Sequence, residues 1–327
     1  MTAPLVTRVS RADAAAVGDA VHCLQAGGLV AFPTETVYGL GADATNAHAI
    51  ARLYDAKGRP AFNPLISHVT GIAAAQKLTQ FDGNAAKLAE AFWPGPLTLV
   101  LPKADGCPVA ELATAGLDSI AVRVPHHDIA QKILAAFGRP IVAPSANRSG
   151  HVSPTTAAHV LADLRGRIEL IVDGGASPVG VESTIVACLG EPMLLRPGGL
   201  PREAIEQVLG CALANAPEET ADDAPLAPGM LASHYAPHTP LRLDARTVAA
   251  GEALLAFGPS LIEGAATAKA TLNLSNSGDL IEAAANLFSS LRALDGAGAQ
   301  MIAVMPIPHN GLGEAINDRL KRAAAPR

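Results

Sequence analysis

Between Leu29 and Leu209, short apolar runs alternate with amphipathic stretches of helical spacing, and this alternation constrains the fold most. Leu29–Phe32, Leu97–Leu101, Ile120–Val124, Ile141–Ala143, Leu170–Val172 and Thr184–Cys188 read as buried strands. Helical patterns around Asn84–Phe92, Asp128–Phe137 and Thr155–Leu164 lie between several of them. The pattern predicts an α/β domain built on a largely buried sheet. Asp13 is placed to cap a helix with Val17, Val21 and Leu24 on one face, ended by Gly27-Gly28. Asn46 caps a second helix that carries Ile50, Leu53 and Tyr54 and runs into Lys57. A last helix over Pro201–Leu209, with proline in its first turn, closes the domain.

Beyond it the texture changes. Ala214 to Pro228 is acidic and rich in Ala and Pro, and reads as a linker. From Pro240 a smaller βα pattern begins, with strands at Leu241–Leu243, Ala253–Phe257 and Met301–Val304 and helices at Asp279–Leu294 and Asn310–Ala323. The expected organisation is a first domain over 1–210, a linker over 211–239 and a second domain over 240–327. Hydrophobic residues make up 49% of the 327 residues and aromatics only 3%, so Ala, Val, Leu and Ile must fill the cores. A net charge of -6 argues against a broad nucleic-acid-binding face. The four cysteines are scattered, with neither metal-ligand spacing nor a disulfide pattern. A reducing cytoplasm suits them best. No signal peptide and no bilayer-spanning run is evident.

Phosphate-binding glycine loops, dinucleotide fingerprints, H-E-x-x-H and G-x-S-x-G are all missing. What remains is a set of polar loops, several of them leaving strands. Lys57-Gly58-Arg59-Pro60-Ala61-Phe62-Asn63-Pro64 sets two cations one residue apart before a proline. Proline holds Arg59 extended, so Lys57 and Arg59 are expected to face one side as an anion clamp, with Asn63 adding an amide. His68 ends a short strand just beyond. Pro33-Thr34-Glu35-Thr36-Val37-Tyr38-Gly39-Leu40-Gly41 offers hydroxyls and glycines to a small polar ligand. Arg123 falls in an otherwise apolar strand that begins at Ser119. A buried arginine needs an anion, either a protein carboxylate or a ligand's carboxylate or phosphate. Pro144 to Thr155 leaves a strand and enters a helix, with Ser145, Asn147 and Ser153 as donors. Glu182-Ser183-Thr184 and Leu195-Arg196-Pro197 add hydroxyls and another strand-end arginine. A basic, hydroxyl-rich cleft without a nucleophile–base pair suits phosphoryl or nucleotidyl transfer, where the protein mainly positions groups and neutralises charge.

The ordered motifs PTETVYGLGADA, KGRPAFNPL, PGPLTLVL, AVRVP, PSANRSGHVSPT, ESTIV and LLRPGG resemble the YrdC-type threonylcarbamoyl-AMP synthases. PGMLASHYAP and the trailing segment resemble the longer, two-domain branch. The resemblance implies a twisted α/β sheet around a concave basic cavity, plus a Rossmann-like C-terminal domain; residues 228–237 read as an active-site lid, since Tyr235 lies far in sequence from the other residues assigned to ATP. It implies an enzyme joining L-threonine, bicarbonate or carbon dioxide, and ATP into threonylcarbamoyl-AMP and pyrophosphate. Carried over by motif, Thr36, His68, Arg123, Ala143 and Ser183 hold threonine. Arg59, Asn63, Ser119, Ser145, Ser153, Arg196 and Tyr235 contact ATP. Lys57 and Arg59 offset charge on the leaving pyrophosphate. Mg2+ is expected with ATP, and no protein-only metal site is. Implied partners are the downstream tRNA threonylcarbamoyl transferase machinery and, weakly, RNA itself. Two other readings share the features: a carbamoyl-transfer domain of the hydrogenase-maturation kind, and a non-catalytic RNA-binding module. The first normally carries zinc-binding modules, and the second needs stacking aromatics that are scarce here.

Overall fold

The computed structural model describes residues 5–216 and 235–326. The first domain is one mixed sheet of eleven strands. They are β1 (Arg8–Arg11), β2 (Val30–Phe32), β3 (Gly39–Asp43), β4 (Ile66–His68), β5 (Leu97–Pro102), β6 (Ser119–Arg123), β7 (Ile141–Val142), β8 (Leu170–Asp173), β9 (Thr184–Ala187), β10 (Met193–Arg196) and β11 (Ala214–Asn215). Their order across the sheet is β1-β8-β2-β3-β7-β4-β6-β5-β9-β10-β11. Parallel and antiparallel neighbours are interspersed, β4 running parallel to β6 and β5 antiparallel to it.

Local chemistry fixes the helices. Asp13 caps Ala14–Gln25 by accepting from the Ala16 amide, and Asn46 caps Ala47–Lys57 by accepting from His48 and Ala49. Gly58 ends the second helix in the left-handed region, at φ 59°. The amphipathic faces then choose their layers. Leu53, Leu88, Leu99 and Val122 join the main core, on one side of the sheet's centre. Leu24, Phe32, Ile133 and Leu170 form a second, under helices Ala14–Gln25 and Asp128–Phe137. Ile66, Val100, Ala121, Ile185 and Leu195 form a smaller cluster on the central strands. Fully buried leucines of this kind each contribute about 2–5 kcal/mol on truncation to alanine.

Two sequence expectations change. Gly39-Leu40-Gly41 is not a ligand loop but part of β3, inside the sheet. A Cβ at Gly41 would lie 2.7 Å from the Phe32 ring, so these glycines admit an aromatic side chain rather than a ligand. The linker expected from residue 211 also begins later, because Ala214–Asn215 extend the first sheet parallel to β10. Most of that linker, including 228–234 of the expected lid, lies outside the described residues.

The C-terminal domain is Rossmann-like: β12 (Leu241–Arg242), β13 (Glu252–Ala256), β14 (Thr271–Asn273) and β15 (Met301–Val304) run parallel in the order β12-β15-β13-β14. Helices Leu280–Asp295 and Leu312–Ala324 bring Leu287, Phe288, Leu291 and Ile316 to its core. That core continues into the first domain, taking in Val37, Val152 and Val181.

Candidate active site

The register of the central strands assembles the site. Pairing runs His68↔Arg123 between β4 and β6, Arg123↔Thr98 between β6 and β5, Thr98↔Ile185 between β5 and β9, and Ile185↔Arg196 between β9 and β10. Residues opposite one another in adjacent strands share a face, so these five side chains form one row. A bulge between Leu194 and Arg196 lets Leu195 stay in the apolar cluster while Arg196 also comes opposite Ile185. Three strand spacings put the Arg123 and Arg196 backbones roughly 14 Å apart. Above this row lies a concave pocket. Thr36, Arg59, His68, Arg123, Ala143, Ser145, Ser183, Arg196 and Tyr235 line it, with Val37, Ile66, Pro144 and Glu182.

Arg123 already has an anion. Its Nη2 donates to Glu35 Oε1 at 2.7 Å, with both side chains buried. Of the two partners the sequence left open, a protein carboxylate is therefore present, and sequence reasoning did not single out Glu35. Glu35 Oε2 is buried with no hydrogen-bond partner among the described residues. His68 is pushed down to about 3 by burial and by the neighbouring Arg123 charge, so it is neutral. Its Nδ1 lies 3.2 Å from the Ile66 carbonyl, which assigns the proton to Nδ1 and leaves Nε2 an acceptor. Ser183 Oγ shares a 2.7 Å hydrogen bond with Thr98 Oγ1. Arg196 donates through Nη2 to the Ser183 carbonyl at 2.9 Å. Burial lowers the Arg196 pKa. Burial also brings Arg59 down to about 10, and its Nη2 donates to the Pro64 carbonyl at 3.1 Å. Tyr235 closes one side with a left-handed backbone, φ 62°, a strained state for a tyrosine. The Ala236 amide donates to the Gly150 carbonyl at 2.8 Å.

The remaining expected residues fall elsewhere. Lys57 and Arg59 do not form the extended clamp: Lys57 is the last helical residue, and Gly58 turns the chain before Arg59. Lys57 Nζ instead donates to the Ser145 and Asn147 carbonyls at 2.6 and 2.5 Å, beneath the loop that supplies Ser145. Burial, then the nearby Arg59 charge, holds its ammonium well below the ordinary lysine range. Asn63 is buried beside Arg59, outside the lining, and its carbonyl accepts from Arg59 Nε at 3.3 Å. Ser119 starts β6, four residues and about 13 Å of strand from Arg123. Ser153 lies behind the lining, and its Oγ donates to Glu182 Oε1 at 2.5 Å. Burial opposes the Glu182 charge, but Arg319 and Arg196 outweigh it and hold the carboxyl below its usual range. Among the described residues, no group of three or more His, Cys, Asp or Glu could hold a metal, and no helix is long and apolar enough to cross a membrane.

Comparison with known proteins agrees with this architecture. The family model described as "Telomere recombination" matches residues 22–198. The one described as "Threonylcarbamoyl-AMP synthase, C-terminal domain" matches residues 200–325. A threonylcarbamoyl-AMP synthase of Pyrococcus abyssi is 43% identical over 323 residues, covering 93% of this chain and 92% of that protein. One from Bacillus subtilis is 40% identical over 325 residues, covering 95% and 93%. The crystal structure of P. abyssi Sua5 complexed with L-threonine superposes with a TM-score of 0.87 at 39% identity, covering 98% of this chain and 97% of that one. Two matching domains in the same order and identities of 40% or more over nine-tenths of the chain lead to one conclusion: the chain belongs to the Sua5/YrdC family, in its two-domain threonylcarbamoyl-AMP synthase branch.

Proposed function

We propose that this enzyme forms L-threonylcarbamoyl-AMP and pyrophosphate from L-threonine, bicarbonate-derived carbon dioxide and ATP. The product supplies the threonylcarbamoyl group for adenosine modification in tRNA. The observation that carries the reading is the cross-sheet row, in which two buried arginines roughly 14 Å apart face one cavity. That spacing suits a substrate with a carboxylate at one end and a polyphosphate at the other. Arg123 takes the threonine carboxylate, with Glu35 fixing the guanidinium. Thr36, neutral His68 and Ser183 accept from the ammonium and hydroxyl. Arg59, Ser145, Arg196 and Tyr235 take the nucleotide. Lys57 holds the Ser145 loop through its two carbonyl contacts, rather than meeting phosphate itself.

The chemistry runs in two steps. The threonine ammonium first gives a proton to solvent; the uncharged nitrogen attacks carbon dioxide, the N–C bond forms, an oxygen takes the π pair, and the nitrogen gives its second proton to solvent. A carbamate oxygen then attacks the α-phosphorus, the P–O bond to the β-phosphate breaks, and pyrophosphate leaves with the electron pair. Arg59 and Arg196 stabilise the charge that builds on the leaving group. Among the described residues, no cluster of acidic side chains offers Mg2+ a protein-built site. The acidic residue lining the cavity, Glu182, is committed to Arg319 and Ser153. We therefore assign any Mg2+ to the ATP phosphates, and no step depends on a protein-held metal. Handing the labile product to the transferase machinery, with weak contact to RNA, and a cytoplasmic setting complete the proposal. The test is pyrophosphate release from ATP that requires both threonine and bicarbonate. Release that needs neither, or that needs carbamoyl phosphate, would sink it.

A further inference from the structure

Arg319 is a fully buried arginine in the C-terminal domain, on helix Leu312–Ala324. Its Nε donates to Glu182 Oε2 at 2.8 Å, across the domain boundary. Its Nη1 donates to Asp318 at 2.6 Å, and its guanidinium carbon lies 5.1 Å from the centre of the Tyr235 ring. Tyr235 also stacks on Phe288 of the second domain, with ring centres 5.7 Å apart. Glu182 in turn accepts from Ser153 through its other oxygen. One side chain of the second domain thus touches Tyr235 directly and reaches Ser153 through a carboxylate that lines the cavity. The same boundary is anchored by apolar residues: Val37, Val152 and Val181, one from each of three loops beside the cavity, sit in the C-terminal core. Gly180 marks how close the approach is, because a Cβ there would lie 2.3 Å from the Ala284 carbonyl oxygen.

We propose that Arg319 is a positioning residue for the nucleotide end of the cavity, acting through Glu182 and Tyr235. A buried arginine that only tied two domains together would need one carboxylate. This one has two, plus an aromatic face, and its Nη2 is buried with no hydrogen-bond partner among the described residues. A buried charge is costly unless it is paired, and here the pairing ties Glu182 and Tyr235 to one guanidinium. Among the described residues, no hydrogen bond or ion pair joins the Thr36, His68 or Arg123 side chain to the second domain, so the larger effect is expected on ATP. The inference rests on the reading that Tyr235 faces ATP.

The test measures ATP and threonine affinity by calorimetry on the full chain, with thermal melts for folding. Arg319→Met should weaken ATP binding about tenfold or more and leave threonine within twofold. Arg319→Lys, which keeps the charge but not the planar contact, should fall between. Glu314→Gln breaks another interdomain pair, Arg202–Glu314, on the same helix and should leave ATP affinity unchanged. Should Arg319→Met fail to fold, Arg319→Lys decides, with a threefold or greater loss for ATP alone expected. Equal losses for both ligands, no loss in a folded variant, or an ATP loss in Glu314→Gln matching that of the Arg319 variant would overturn the inference. Wild-type protein that bound neither ligand would instead sink the functional reading above.

Discussion

Gly180→Ala probes how firmly the second domain holds the cavity loops. Gly180 has φ 78°, so alanine costs about 1–2 kcal/mol in the backbone alone. The new Cβ would lie 2.3 Å from Ala284 O, 2.4 Å from Ala285 Cα and 2.7 Å from Ala285 O. All three are backbone atoms of helix Leu280–Asp295, so no side chain can turn away. Ordinary van der Waals separation requires the helix and loop to part by about 1 Å. That stretches the 2.9 Å hydrogen bond between Thr155 and Ser289, worth about 1 kcal/mol. It also loosens Val181 and Ala284, which are fully buried at this contact. The total is about 3 kcal/mol, or roughly 5 °C in Tm for a protein of this size. Because Glu182 lies two residues on and the Gly180 amide donates to the Thr36 carbonyl at 3.1 Å, affinity for ATP and for threonine should both fall with stability. Differential scanning calorimetry and ligand titrations read both. A variant melting within 1 °C of the wild type, with unchanged ATP affinity, would refute the reasoning, because the boundary would then yield freely.

Arg123→Lys removes the planar fork that meets Glu35 and, in the proposed complex, the threonine carboxylate; the threonine KM should rise about tenfold to a hundredfold with little change for ATP. Steady-state kinetics with each substrate varied checks this, and an unchanged threonine KM would remove Arg123 from the amino-acid site. Lys57→Met leaves the Ser145 and Asn147 carbonyls without their donor, at about 1–3 kcal/mol each, partly offset by no longer burying a cation. Its expected signature is a lower Tm with a raised ATP KM, and a variant of wild-type stability that loses only kcat would instead put Lys57 on the phosphates. His68 titrates near 3 in the folded protein against about 6.5 unfolded, so the unfolded chain binds a proton that the native state refuses across that window. Stability should therefore fall as pH drops from about 6.5 towards 3, by about 1.4 kcal/mol per pH unit from this group. His68→Asn should flatten the slope in urea unfolding between pH 6 and pH 4, and identical slopes would contradict the assignment.

The sequence by itself determined what depends on near neighbours. Caps at Asp13 and Asn46, the glycine stop at Gly27-Gly28 and the apolar strands at Leu97, Ile120 and Thr184 were legible because each signal lies within a few residues. The ordered motifs named the family for the same reason. The edge strands β1 and β14 were not legible because they expose polar residues, and the inner strand β3 was not because its two glycines ordinarily mark a loop. Glu35 and Glu182 stood inside quoted motifs, and a buried cation nearby was the signal that could have found them. Arg319 gave none, since Asp318, Lys321 and Arg322 around it read as a solvated helix face. Tertiary structure decided the rest. Strand register brought His68, Arg123 and Arg196 onto one face, helix geometry turned Lys57 under a loop, and domain docking buried Arg319 against Glu182. Register and docking are set by pairing between segments far apart in the chain, and a one-residue slip would have sent each of those row side chains to the other face.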